Sequence, residues 1–320
     1  MKAINFERII AKHDRINPRS MRPVRAVIQI VLFLIALTSS LSSFGQEKVE
    51  NAIQQIADTL DGQLGVSILH IESGTMASFN GSKRFPMQSV YKFPIAMIML
   101  RQVDAGQFAL ADTIHIDKSE YIPANGHSPI RDRYPEGADL TIREILEYNV
   151  SQSDGTACDV LLRLLGGTEE VQAQVRALGV RDIAIATNEM VQVTYDTVQY
   201  QNWSTPEAMN KLLQLFHSAD YLSESSQKFL WDQMSISNRW FDRRIKGLLP
   251  VATPLAHKTG TAWTYNGLTR ATNDAGILTL PDGNHLAISV FISDSFDSQQ
   301  KREMTIAQAA KAAYDYWTEN

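Results

Sequence analysis

The 320-residue chain is 44% hydrophobic and 20% charged, with a formal net charge of −5. That is the make-up of a folded globular protein with one large or two medium domains. The acidic balance excludes a protein that coats nucleic acid with a basic face, and the lone cysteine, Cys158, excludes an internal disulfide.

In chain order, the first feature is an apolar run from Val24 to Leu37, with Arg22 and Arg25 at its start and TSSLSSFGQ behind it. This is the layout of an export signal, and the run is shorter than the ~20 residues of a membrane-spanning helix. Cleavage is expected after Gly45, so that 1–45 is a signal peptide. Met21 is a candidate true start, and a retained membrane anchor is the alternative. Removing 1–45 takes away seven basic and two acidic residues and leaves a net charge of −10. That charge suits a soluble periplasmic protein that does not associate with anionic membranes.

GVSILHIESGTMASFN has two alternating runs around Glu72-Ser73-Gly74 and predicts a β-hairpin. Helices are expected over Thr141 to Tyr148, over Asp154 to Leu165 with Gly166-Gly167 ending it, and from Thr205-Pro206-Glu207, where Thr205 or Ser204 is the N-cap. Residues 180–203 show no period and read as a long loop. Cys158, in ACDVLLRLL, reads as a buried thiol. LAHKTGTAW, DAGILTL and HLAISVFIS read as three more strands, with Pro281-Asp282-Gly283-Asn284 turning between the last two. Ser298 to Trp317 has helical spacing. Strands therefore come early and late, with helices between. The simplest packing is one antiparallel sheet built from both chain ends, covered by terminal helices, with a helical domain inserted in the sequence and a ligand cleft between the two. The boundaries expected are 46–88 with 236–320 for the sheet domain and 89–235 for the helical one.

Ser89-Val90-Tyr91-Lys92 places a lysine one helical turn from a serine, where it can reach the hydroxyl. A serine needs such a base before it becomes a nucleophile. Ser225/Lys228 and Ser298/Lys301 match the same pattern and read as surface helix residues. Only Ser89 has both Ser153-Asp154-Gly155 and Lys258-Thr259-Gly260 downstream of it, in that order. Together the three motifs form the signature shared by class A β-lactamases and penicillin-binding proteins.

With SVYKFP, SDGTACD, YQNW, RIKGLLP, HKTGT and NGLTRATND, the chain resembles class A serine β-lactamases over nearly its whole length. It is most similar to the PER and VEB type extended-spectrum branch. The resemblance implies an α+β fold of three layers, α/β/α, with an antiparallel sheet plus an inserted all-helical domain, as in penicillin-binding transpeptidases. It implies hydrolysis of penicillins and cephalosporins, including oxyimino-cephalosporins, by a monomer without a cofactor or a metal. By resemblance, Ser89 attacks the lactam carbonyl, and Lys92, or Glu189 through a water, takes its proton. The backbone N–H groups of Ser89 and Thr261 form the oxyanion hole. Ser153 relays a proton to the leaving nitrogen with Lys258 beside it, and Glu189 in ATNEMVQV activates the deacylating water. Lys258, Thr259, Gly260, Thr261 and Asp154 line the substrate site. Arg244 is the expected carboxylate-binding arginine, with Arg270 a second candidate, while Arg243 and Lys246 fit a solvated face. His127 either stacks on substrate as a cleft wall or is a solvated loop residue.

Three departures from the family stand out, one of them His127, which falls near a position often occupied by an aromatic wall residue of the cleft. Gly155 replaces an asparagine that contacts the substrate amide and the catalytic lysine. Val193 replaces a polar residue that helps hold the deacylating water. Slow deacylation would make the chain a penicillin-binding DD-peptidase or a non-catalytic β-lactam sensor instead. The seven histidines show no metal-ligand spacing such as H-E-x-x-H.

Overall fold

Period-2 alternation in the first and last segments builds the sheet. In the computed structural model, which describes residues 47–218, 220–236 and 242–319, β1 (Gln63–His70) and β2 (Met76–Phe79) form the expected hairpin. Gly74 takes a φ of 71° in its turn, a conformation that glycine adopts without steric cost. The expected signal peptide falls outside the described residues, apart from which no helix is long and apolar enough to cross a membrane.

The remaining strands are β3 (Phe85–Pro86), β4 (Thr113–Ile116), β5 (Ala138–Thr141), β6 (Ile183–Ala184), β7 (Trp203–Ser204), β8 (Leu255–Thr261), β9 (Thr264–Tyr265), β10 (Leu268–Thr279) and β11 (His285–Ser295). The main sheet is antiparallel, in the order β2-β1-β11-β10-β8, with β9 paired to β10. Both chain ends thus meet in one sheet.

The helices are α1 (47–57), α2 (Lys92–Asp104), α3 (Pro129–Arg133), α4 (Ile142–Val150), α5 (Gly155–Leu164), α6 (Thr168–Ala177), α7 (Glu189–Thr194), α8 (Pro206–His217), α9 (Glu224–Met234) and α10 (Gln299–Glu319). The caps follow the sequence. Thr141 and Glu144 form a capping box on α4, Asp154 caps α5 and Thr205 caps α8.

Two findings differ from the expectations. Residues 180–203 are not a featureless loop but hold β6, α7, a 3-10 turn over Asp196–Gln201 and β7; these pieces are too short to show a period. Strand β10 begins at Leu268, six residues before the expected DAGILTL. Its polar Thr269, Thr272 and Asn273 are buried, because the Arg302 Nε donates to Thr272 Oγ1 at 2.9 Å and the Asn273 amide donates to Pro86 O at 2.7 Å. Polar residues with such partners read as solvent-facing in a sequence.

The sheet separates two apolar cores. On β11, Ala287 and Phe291 face the helices of the middle of the chain, whereas Leu286, Ile288, Val290 and Ile292 face α1 and α10. Helix α8 is pinned to the sheet by buried Asn210. Its amide donates to Ser67 Oγ at 2.9 Å and Ala287 O at 3.1 Å, and accepts from Ser289 Oγ at 2.7 Å. Replacing it removes the partner of two buried hydroxyls, Ser67 and Ser289, and one bond to the Ala287 carbonyl. Asn210→Leu is therefore expected to lower stability by about 2–4 kcal/mol in urea unfolding; a loss under about 1 kcal/mol would show that the network contributes little.

Candidate active site

Ser89 sits in a 3-10 turn, Gln88–Tyr91, at the entrance of α2. Gln88 before it takes a φ of 48°, a strained conformation of the kind that concentrates at functional sites. Buried Lys92, in the first turn of α2, donates to Ser89 Oγ at 2.8 Å and meets Glu189 Oε1 at 2.5 Å. Burial opposes a charge on Lys92, but the Glu189 carboxylate outweighs it, and the ammonium is held above its usual range. Asn149 donates to the Lys92 carbonyl at 3.1 Å, which ties α4 to α2.

Ser153 has a φ of 57°, and its hydroxyl accepts from Lys258 Nζ at 2.9 Å. Lys258 lies on β8 with its pKa pushed down to about 7, by burial first and the charge of Lys92 second. Gly260 lets β8 close on the serine turn: a Cβ there would lie 2.3 Å from Met87 O and 3.1 Å from Ser89 N. Ser89, Lys92, Ser153, Glu189, Thr259, Thr261 and His127 all line one cleft of about 560 Å3. His127 also holds the Gln152 carbonyl through Nε2 at 2.9 Å. Trp263 and Tyr265, 80% and 66% exposed, stand at the cleft on the β8–β10 connection.

Two expected substrate contacts are placed differently. Asp154 is fully buried. Its carboxylate accepts from Ile130 N at 2.7 Å and Ala157 N at 2.9 Å, so it braces the loop behind Ser153. Arg244 is only 2% exposed and does not line the cleft. It donates to Asn273 O at 2.7 Å, Gly260 O at 3.2 Å and Thr261 Oγ1 at 2.7 Å, with Glu303 at 3.7 Å. Its guanidinium reaches the cleft through the Thr261 hydroxyl. Arg270 lies against Tyr200, with 3.3 Å from Nη1 to its hydroxyl. Arg243 is exposed, and Lys246 donates to the Thr253 carbonyl.

The decoy Ser225/Lys228 pair lies on exposed surface, where Lys228 pairs with Asp232 at 2.7 Å. Exposed Ser298 only caps Lys301 N, at 3.2 Å, and Lys301 reaches Thr59 Oγ1 at 2.9 Å. Cys158 is buried, as expected, and burial pushes its thiol far above the usual range.

Sequence reasoning missed Asp159. Its carboxylate accepts from Glu189 N at 2.7 Å and Met190 N at 2.9 Å and so fixes the start of α7. Burial, then the Glu189 charge, pushes it up to about 7. Asn202 closes the same segment through Ala186 N at 2.7 Å, Thr187 N at 2.9 Å and Thr187 O at 2.8 Å. Gln88 and Gln199 join side chains across the cleft at 2.5 Å. The position of Asp159 in SDGTACD, one helical turn past Gly155, was the available signal.

Residues 48–317 match the model of the beta-lactamase enzyme family. The chain is 38% identical to beta-lactamase VEB-1 of Pseudomonas aeruginosa, over 92% of this chain and 99% of that protein. It is 35% identical to extended-spectrum beta-lactamase PER-1 of the same organism, over 92% and 95%. A beta-lactamase from Chitinophaga pinensis superposes with a TM-score of 0.81 at 45% identity, covering 83% of this chain and 98% of that one. A class A beta-lactamase from Bacteroides cellulosilyticus does so with 0.81 at 30% identity, covering 86% and 99%. With Ser89, Lys92, Ser153 and Glu189 lining one cleft and Lys258 bonded to Ser153 behind it, and matches that span nearly the whole of each relative, the chain belongs to the beta-lactamase enzyme family and is a class A β-lactamase.

Proposed function

We propose that this β-lactamase opens β-lactam rings through an acyl-enzyme on Ser89 and releases the product with Glu189 as general base. The observation that carries this reading is the chain of contacts Ser89–Lys92–Glu189. Lys92 is held as an ammonium beside Glu189, so Glu189 is the group with a lone pair free to accept a proton, through a water, in acylation as well as deacylation. Lys92 orients the Ser89 hydroxyl and offsets the carboxylate charge. Backbone N–H groups of Ser89 and Thr261 are the proposed oxyanion donors, supported by the close approach of Gly260 to the serine turn. Ser153, beside Lys258, passes a proton to the leaving nitrogen. Lys258, Thr259 and Thr261 bind the substrate carboxylate, and Arg244 orients Thr261 from behind. Asp154 supports the site without reaching substrate.

Gln192, next to the apolar Val193, brings an amide into the cleft and donates to Tyr91 Oη at 3.1 Å; it is the candidate to help hold the hydrolytic water. Val193 also lines the cleft and lies near Gly126. Oxyimino-cephalosporins fit as substrates, supported by the exposed Trp263–Tyr265 rim and by relatives such as TLA-1, a solved extended-spectrum beta-lactamase 39% identical to this chain with a TM-score of 0.83, covering 86% of this chain and 99% of that one. Export to the periplasm by removal of 1–45, a monomeric mature protein, and a sheet part (46–88 and 236–320) flanking a helical part (89–235) complete the reading. The rival DD-peptidase would keep its acyl group.

Three outcomes test this. On mixing residues 46–320 with an oxyimino-cephalosporin, the parent turns over many equivalents, while Glu189→Gln accumulates an adduct by intact mass and loses at least ~10²-fold in kcat, the scale of a general-base contribution. A lasting adduct on the parent would instead make it a penicillin-binding protein. The basic limb of kcat/KM should fall near pH 7, as Lys258 in the free enzyme loses its proton. The limb in kcat should lie higher, because a bound substrate carboxylate favours the ammonium. A pH profile flat from 6 to 9 would contradict this role. A Cβ at Gly155 would lie 2.5 Å from Cδ1 of the buried Ile122 and 3.4 Å from Glu189 Oε2. Gly155→Asn alone should therefore destabilise by about 1–3 kcal/mol through overpacking, and adding Ile122→Ala should recover much of the loss. Equal melting of parent and single variant would show that the site has slack.

A further inference from the structure

Three side chains distant in sequence meet at the end of the sheet away from Ser89. Glu72 lies in the β1–β2 turn, His217 ends α8 and His285 opens β11. One ligand atom from each lies within 4.8 Å of the other two. Glu72 Oε1 is 2.7 Å from His285 Nδ1, and Glu72 Oε2 accepts from the His285 backbone N–H at 2.9 Å. The rings of His217 and His285 lie against each other with centroids 4.3 Å apart, and Trp231 packs edge-on to His285 at 6.4 Å. Neighbouring His70 is 3.8 Å from the Glu72 carboxylate, but its Nδ1 accepts from Ser73 N at 3.2 Å.

The geometry points to a binding site for one divalent cation of the zinc class on Glu72, His217 and His285. Two imidazoles and one carboxylate are a donor set that zinc takes, whereas magnesium and calcium demand mainly oxygen ligands. The second Glu72 oxygen, held by the His285 backbone, fixes the carboxylate in place, as supporting contacts do in metal sites. The donors come from a turn, a helix end and a strand start, so they converge only in the folded chain. A bound cation ties these elements together and stabilises the native state. The role is structural. On β11, His285 stands four residues from Ser289 and seven from Ile292, which lie across β10 from Lys258 and Thr261. At the rise of an extended strand that is about 13–23 Å.

The test is calorimetric titration of the untagged protein with zinc chloride, with bound metal counted by elemental analysis and circular dichroism to confirm that each variant folds. One zinc per chain is expected, bound at least ten-fold more weakly by His217→Gln and by Glu72→Gln. His115→Gln should bind like the parent, because His115 belongs to a separate exposed pair with Asp139, 2.8 Å apart. The melting temperature of the parent should rise with zinc. Should His217→Gln fail to fold, the exposed Glu72→Gln decides the question alone. No stoichiometric uptake, uptake unchanged by Glu72→Gln, or loss of uptake in His115→Gln overturns the assignment. So does a change in cephalosporin hydrolysis on adding zinc, since that places the ion at the catalytic cleft.

Discussion

A buried ammonium is tolerated only beside a carboxylate, and Lys92, 1% exposed, is the charge around which this protein is arranged. Its counter-ion comes from 97 residues away, on helix α7, none of whose residues is fully buried. Polar contacts fix its start. Asp159 takes the first two N–H groups of α7, and Asn202 closes the neck. Losing either partner of the Lys92–Glu189 pair would leave a buried charge uncompensated, a defect worth about 3–5 kcal/mol. Stability and chemistry thus draw on the same ion pair.

The second lysine shows the opposite balance. Lys258 has Lys92 nearby and, among the described residues, a serine hydroxyl and a carbonyl as direct partners, so burial and like charge lower its proton affinity. The two amines are thus pulled in opposite directions, Lys92 toward its ammonium by the Glu189 carboxylate and Lys258 down to about 7 by burial and the charge of Lys92. Such a separation allows one site to carry distinct acid and base steps. Behind them, the buried guanidinium of Arg244 bonds the Thr261 hydroxyl at 2.7 Å.

The departures from the family pattern become intelligible as packing. Ile122 occupies the space that a side chain at 155 would need, and it also crowds Gly126, which Val193 approaches from α7. Gly155, Gly126, Ile122 and Val193 form one apolar contact between the helical part and the Glu189 segment.

Local features were legible in the chain itself. The three short motifs, the hairpin at Glu72-Ser73-Gly74, the caps Thr141, Asp154 and Thr205, and the buried thiol of Cys158 follow from residue type and spacing, which report on neighbours within a turn or a strand, whereas Glu189 was found only through the family resemblance. The tertiary structure alone decided what depends on distant partners: that Arg244 is buried behind Thr261, that the polar start of β10 is interior, that Asp159 anchors α7, that Ile122 lies against Gly155, and that Glu72, His217 and His285 meet. Each rests on contacts between residues tens to hundreds of positions apart, and hydrophobic periodicity carries no information about such contacts.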